Sequence, residues 1–170
     1  VLDQLPENES IHLAVDAQVA LARLDFQDSR TGSARQRLDN ALRTARVHDH
    51  DLAEASALLA RGFMDLSEPD GAAAAFQSVA AIRDRLGESP PFGIQRHLLR
   101  LEALALIASG RIDEARGVAA RLSDLARSRQ HQTAEQDSRL IDAIALFYDG
   151  RFDEGWRAHQ MAQGQSLVPL

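Results

Sequence analysis

The 170-residue chain has no cysteine and no lysine. Without cysteine there is no disulfide, no thiolate nucleophile and no thiolate metal ligand. Without lysine there is no phosphate loop of the GxxxxGK kind, and all 19 basic residues are arginine. That bias fits a GC-rich coding background; its functional reading is a surface that escapes lysine-directed tagging. Aromatic residues are only 5% of the chain, set against 29 Ala and 23 Leu, a mixture that starves strands and favours helices. An all-β sandwich or barrel is therefore excluded. No run approaches the about 18 consecutive apolar residues of a membrane span, so no membrane partner is expected. The net charge of −6 removes the basic face that a general grip on nucleic acid needs, and no direct nucleic-acid binding is expected of this region. With 45% apolar residues the chain has ample material for a core, and residues 1–170 are read as a single domain. No signal-like segment follows Val1, which points to the cytoplasm. No initiator Met is present, so the chain reads as part of a longer protein.

What is present is a repeat. Gly110-Arg111-Ile112-Asp113-Glu114-Ala115 recurs 40 residues later as Gly150-Arg151-Phe152-Asp153-Glu154-Gly155. Weaker copies begin at Ser67 and Ser29, so four units are anchored at 29, 67, 110 and 150. Positions counted from each anchor agree in size and polarity. Seven residues before stand Ala22, Ala60, Ala103 and Ala143; three before stand Phe26, Met64, Ile107 and Phe147; five after stand Ala34, Ala72, Ala115 and Gly155. Small residues on both sides of a turn let two antiparallel helices approach closely while the larger apolar residues fill the space around them. Asp70, Asp113 and Asp153 fall at one position, where an acidic group would meet the free N–H groups that open the next helix.

The pattern predicts eight helices at about 9–28, 31–48, 50–66, 69–87, 93–109, 112–129, 132–149 and 152–164. Paired, they form repeats over about 9–48, 50–87, 93–129 and 132–164. Every connection is short, which makes consecutive helices antiparallel neighbours.

A small residue, a Gly-Arg-x-Asp-Glu-Ala turn and an alanine-rich second helix resemble the tetratricopeptide repeat, over nearly the whole chain. The units run 38 to 43 residues rather than the family's period of about 34, which implies helices about one turn longer. In this they are similar to the tetratricopeptide-like regions of large bacterial transcriptional activators and related signalling proteins. The resemblance implies an all-α, right-handed α-solenoid of about four antiparallel helix pairs. It also implies a protein or peptide interaction scaffold in the sensing or assembly region of a regulatory protein. A small-molecule effector sensor is the alternative.

Catalytic chemistry finds no home in the sequence. There is no GxGxxG and no GxSxG, carboxylate pairs such as Asp65 and Glu68 lack a nearby base, and the reading is of a protein without enzymatic activity or cofactor. His48-Asp49-His50-Asp51 is the one cluster with metal-ligand residue types, but two His one residue apart do not share a helix face, and a solvated turn is the plainer reading. In the resembled family the first helix of each pair lines the concave surface. There Arg23 and Arg61 fall at equivalent positions, suited to an acidic peptide or bound carboxylate, with Arg100 as a third contact and Phe26 and Met64 as the adjacent apolar stripe. The competing assignments are ion pairs of the arginines with Asp16 and Glu54, and core packing for Phe26 and Met64. Trp156, the only tryptophan, stands where earlier units place Arg35, Ala73 and Arg116. With Phe152 it is read as an interface, covered by a following segment or by a second copy in a homodimer through the C-terminal pair. A local cap by tail residues 166–170 is the alternative.

Overall fold

Short helices in series need a device at each end that satisfies loose backbone groups and reverses the chain. The computed structural model describes residues 7–163 apart from Glu88, and among them one device recurs. The helices are α1 (Glu7–Gln27), α2 (Thr31–Val47), α3 (Asp51–Asp65), α4 (Ala72–Leu86), α5 (Phe92–Ala108), α6 (Ile112–Ser128), α7 (Gln132–Tyr148) and α8 (Phe152–Ala162). The fold is all-α, with no strand among the described residues. Helix number and order are as the periodicity predicts, and the boundaries agree to within three residues.

Among the described residues each connection contains one with positive φ: Ser29, Asp49, Asp70, Gly87, Gly110, Gln130 and Gly150. Around five of them the hydrogen bonds are the same. At Gly110 the backbone N–H donates to Ile107 O at 2.9 Å, and the next N–H, of Arg111, donates back to Leu106 O at 2.9 Å. Ser29, Asp49, Gln130 and Gly150 repeat that pair of bonds, the left-handed reversal that closes a helix by satisfying its last carbonyls. The residue after each is already the N-cap of the next helix: Arg30, His50, Arg111, His131 and Arg151. A three-residue connection leaves the chain no course except to turn back on itself.

The caps differ by position in the repeat. His50 and His131 open α3 and α7, and each turns Nδ1 to accept the N–H of the third helical residue, Ala53 at 3.3 Å and Ala134 at 3.2 Å. Arg111 and Arg151 have no such acceptor. Instead they fork onto a glutamate in the following first turn, Arg111 Nε to Glu114 at 2.7 Å and Arg151 Nε to Glu154 at 3.0 Å. The glutamates lie where the helix dipole favours negative charge, and the arginines hold both below their ordinary pKa. This accounts for the Gly-Arg-x-x-Glu core of the repeated motif.

The turn after α3 departs from the repeat. Asp70 is not in the first turn of α4, as its alignment with Asp113 and Asp153 predicts; it occupies the left-handed position itself, at φ 61, and α4 starts at Ala72. Gly71 beside it is obligatory, because a Cβ there would lie 1.8 Å from Asp65 O.

The chain divides into two compact units, Val1–Ile94 and Gln95–Leu170. In the first, α1 packs on α2 and α3, α2 on α3, and α3 on α4. In the second, α6 packs on α7 and α7 on α8, while α5 is tied to α6 by Arg121–Glu102 at 3.2 Å and to α7 by Arg96–Asp137 at 2.6 Å. Of the aligned small residues, Ala22, Ala60, Ala103, Ala143, Ala34 and Ala115 are buried, while Ala72, the first residue of α4 after the irregular turn, is only half-buried. Gly155 completes the set on α8, where a Cβ would meet Ala143 O and the Phe147 ring at 3.2 Å. These positions set how closely helices approach, and Ile82, Leu101, Leu122, Ile141 and Val15 fill the volume around them.

Candidate functional site: exposed arginines and two apolar surfaces

Most ionic links between helices use carboxylates on first helices. Thirteen residues before their anchors stand Asp16, Glu54 and Asp137. Asp16 accepts from Ser56 Oγ at 3.1 Å and faces His12 Nε2 at 3.3 Å. Glu54, buried, is held by Arg46 at 2.7 Å and Arg85 at 3.3 Å. Asp137 takes Arg96 at 2.6 Å and Arg100 at 3.8 Å. Asp25, also buried, accepts from Arg37 at 2.6 Å and from Arg30 at 2.6 Å. The Arg37 guanidinium, and after it Arg30, hold the Asp25 carboxyl below its ordinary pKa. Asp65 is opposite in sense: burial pushes its carboxyl up, against the pull of Arg61 and Arg35.

Neither expected ion pair with Arg23 or Arg61 forms: Glu54 is taken by Arg46 and Arg85, while Asp16 meets Ser56 and His12 and keeps 45% of its side chain exposed. Arg61 is exposed and pairs with Asp39 of α2 at 3.3 Å. Arg23 is exposed on α1 with no ion-pair partner among the described residues. Arg100 is half-buried beside Asp137. Phe26 is half-buried and offers part of its ring, whereas Met64, 5% exposed, belongs to the core of the first unit. Of the stripe predicted from the repeat, Arg23 and Arg61 reach solvent freely.

Two helices each carry several exposed large apolar side chains, while Val47 and Leu52 are exposed singly on α2 and α3. On α8, Phe152 and Trp156 stand one turn apart, 66% and 56% exposed, with Tyr148 beside the turn. Phe152 leans on the half-buried Phe147 ring, centroids 6.4 Å apart, and Trp156 lies 5.8 Å from the His159 ring. The tail residues 166–170, the alternative cover for Trp156, lie outside the described residues. On α1, Leu13, Leu21 and Leu24 are exposed, a surface that the repeat register does not announce.

The His48–Asp51 cluster is dispersed. His48 points outward at the end of α2, while His50 caps α3 and stacks on His12 of α1 with ring centroids 5.4 Å apart. Among the described residues no group of three or more His, Asp or Glu is placed to hold a metal ion. No described helix is long and apolar enough to cross a membrane. No protein-family model, curated protein or solved structure matches the chain.

Proposed function

We propose that this chain is a protein or peptide interaction scaffold, a tetratricopeptide-like region serving sensing or assembly in a bacterial, cytoplasmic regulatory protein. The observation that carries the reading is the pair Phe152 and Trp156, more than half exposed on the last helix. Large aromatic side chains are the usual anchors of polypeptide interfaces, and left in water they cost solubility without adding to the core. Antiparallel helix pairs supply rigid faces from which such anchors project. Exposed Arg23 and Arg61 favour a partner with acidic side chains.

The test uses the double variant Phe152→Ala, Trp156→Ala. Helix content should be unchanged, because both rings are more than half exposed and give up little beyond the contact of Phe152 with Phe147, and a polypeptide that co-purifies with the wild-type chain should be lost. Stabilisation of the wild-type chain by a small metabolite, equally strong in the variant, would overturn this reading and support an effector sensor.

A further inference from the structure

The first helix is apolar on two opposite sides. Ile11, Val15, Val19 and Ala22 are buried, as expected of a helix packed on α2 and α3. Round the other side Leu13, Ala17, Ala20, Leu21 and Leu24 are all exposed. Leu13 and Leu24 are 47% and 55% exposed, and a helix at the edge of its unit ordinarily turns polar residues to water there.

The outward stripe has an internal order. Its centre line runs Leu13, Ala17, Ala20, Leu24, steps of four, three and four, the spacing that keeps one seam of a helix facing a partner helix. Read from either end it is Leu-Ala-Ala-Leu. A two-fold axis beside the midpoint of this stretch therefore sets Leu13 against Leu24 of the other copy and Ala17 against Ala20. The alanines let the axes close to about 8 Å, and the leucines fill both ends. On one flank of the seam lie Asp16 and Arg23. In an antiparallel pair like flanks face each other, which brings Arg23 within two residues, about 3 Å along the axis, of the half-exposed Asp16 of the second copy, inside the reach of a guanidinium. Arg23 has no ion-pair partner within its own chain among the described residues, and each copy would supply one such contact. On the opposite flank Leu21 and the exposed Ala14 of the second copy come within two residues of one level, about 3 Å, which extends the apolar contact.

We propose that the outward face of α1 is a homodimer interface, in which two copies of this chain pair α1 to α1 antiparallel about a two-fold axis. The occupant is a second copy because the same sequence running the other way sets leucine against leucine, alanine against alanine and, on one flank, arginine near aspartate. A contact about three turns long is at the small end of specific interfaces, so the dimer dissociates on dilution. The aromatic surface on α8 takes no part, and the two proposals stand or fall separately.

The chain's lack of cysteine makes a clean test possible. Sedimentation of the full 170-residue chain should show monomer passing to dimer as concentration rises from micromolar towards millimolar. Leu13→Glu with Leu24→Glu should keep the protein monomeric at unchanged helix content. Ala17→Cys and Ala20→Cys, as separate proteins, should form an intermolecular disulfide much faster when mixed than either does alone. Faster crosslinking of each variant with itself means parallel pairing and overturns the proposal. A wild-type chain that stays monomeric overturns it too. In that case rapid maleimide labelling of Ala17→Cys shows an uncovered face, and slow labelling shows a face covered by another part of the same chain. A dimer indifferent to the two glutamates would place the interface elsewhere and likewise refute it.

Discussion

Asp25 of α1 is gripped from α2 by Arg37, whose Nε donates to Oδ2 at 2.6 Å, while Arg30 occupies Oδ1. The buried carboxylate is thus matched on both oxygens, and its pKa lies below the ordinary 3.8. For an acid whose folded pKa is lowered, the stabilisation is complete above the unfolded value and is lost as pH falls through the folded one. Arg37→Ala should therefore lower the melting temperature at neutral pH, and its gap from wild type should narrow in acid, below about pH 4. Thermal melts between pH 7 and pH 2 check this. A gap constant to the lowest pH would mean that Arg37 acts by packing alone.

Asp65 should respond in the opposite direction. Burial raises its pKa above 3.8, so the charged form is disfavoured in the folded chain. The favourable linkage is present below the unfolded value and disappears as pH rises through the folded one. At pH 7 the native protein bears a buried charge with only the distant Arg35, at 3.9 Å, as an ion-pair partner. Asp65→Asn should raise the melting temperature at neutral pH by a few degrees, on the order of 1 kcal/mol in a chain this size, and the gain should vanish below about pH 4. Loss of stability at pH 7 would show that the pull of Arg35 and Arg61 outweighs desolvation.

Two helical glycines should answer the same substitution with opposite sign. Gly117 lies inside α6 and a Cβ there meets nothing within 4 Å, so Gly117→Ala should stabilise by about 1 kcal/mol through propensity alone. Gly155 has the same helical preference, but its Cβ would press on Ala143 O and the Phe147 ring at 3.2 Å. Gly155→Ala should therefore cost about 1–3 kcal/mol by overpacking the α7–α8 contact. Chemical denaturation of the two variants measures both, and equal effects would mean that α8 shifts freely on α7.

The helices were legible because small residues recur at fixed distances from the turns: Ala103 and Ala143 were placed as packing contacts from spacing alone, and both are fully buried. The ionic partners were not legible. Arg46 and Arg85, which hold Glu54, lie on α2 and α4, and a register built within first helices cannot see charges arriving from second helices. Asp137 shares its position with Asp16 and Glu54, and that recurrence was an available signal that the structure makes plain. The outward stripe of α1 escaped for another reason. Periodicity finds the face that repeats between units, whereas Leu13 and Leu24 belong to one unit only. Exposure had to be seen before Leu13, Ala17, Ala20 and Leu24 separated from the buried Ile11, Val15, Val19 and Ala22.

Trp156 gives the interaction surface its own optical probe. It is the single tryptophan of the chain, 56% exposed, with a histidine ring on one side and solvent on the other. In dilute protein its emission should be red-shifted and readily quenched by acrylamide, since an indole in water relaxes its polar surroundings and collides freely with the quencher. The α1 contact includes no residue of α8, so a spectrum that changes with concentration alone would assign Trp156 to a second contact between copies. Binding of a polypeptide partner should shift the emission to the blue and slow the quenching, because an aromatic anchor is desolvated at the centre of its interface. A blue, unquenchable signal in the dilute chain, turned red by deleting residues 166–170, would assign the ring to a cap made by the tail. Trp156 would then leave the interface, and the scaffold reading would have to rest on Arg23 and Arg61.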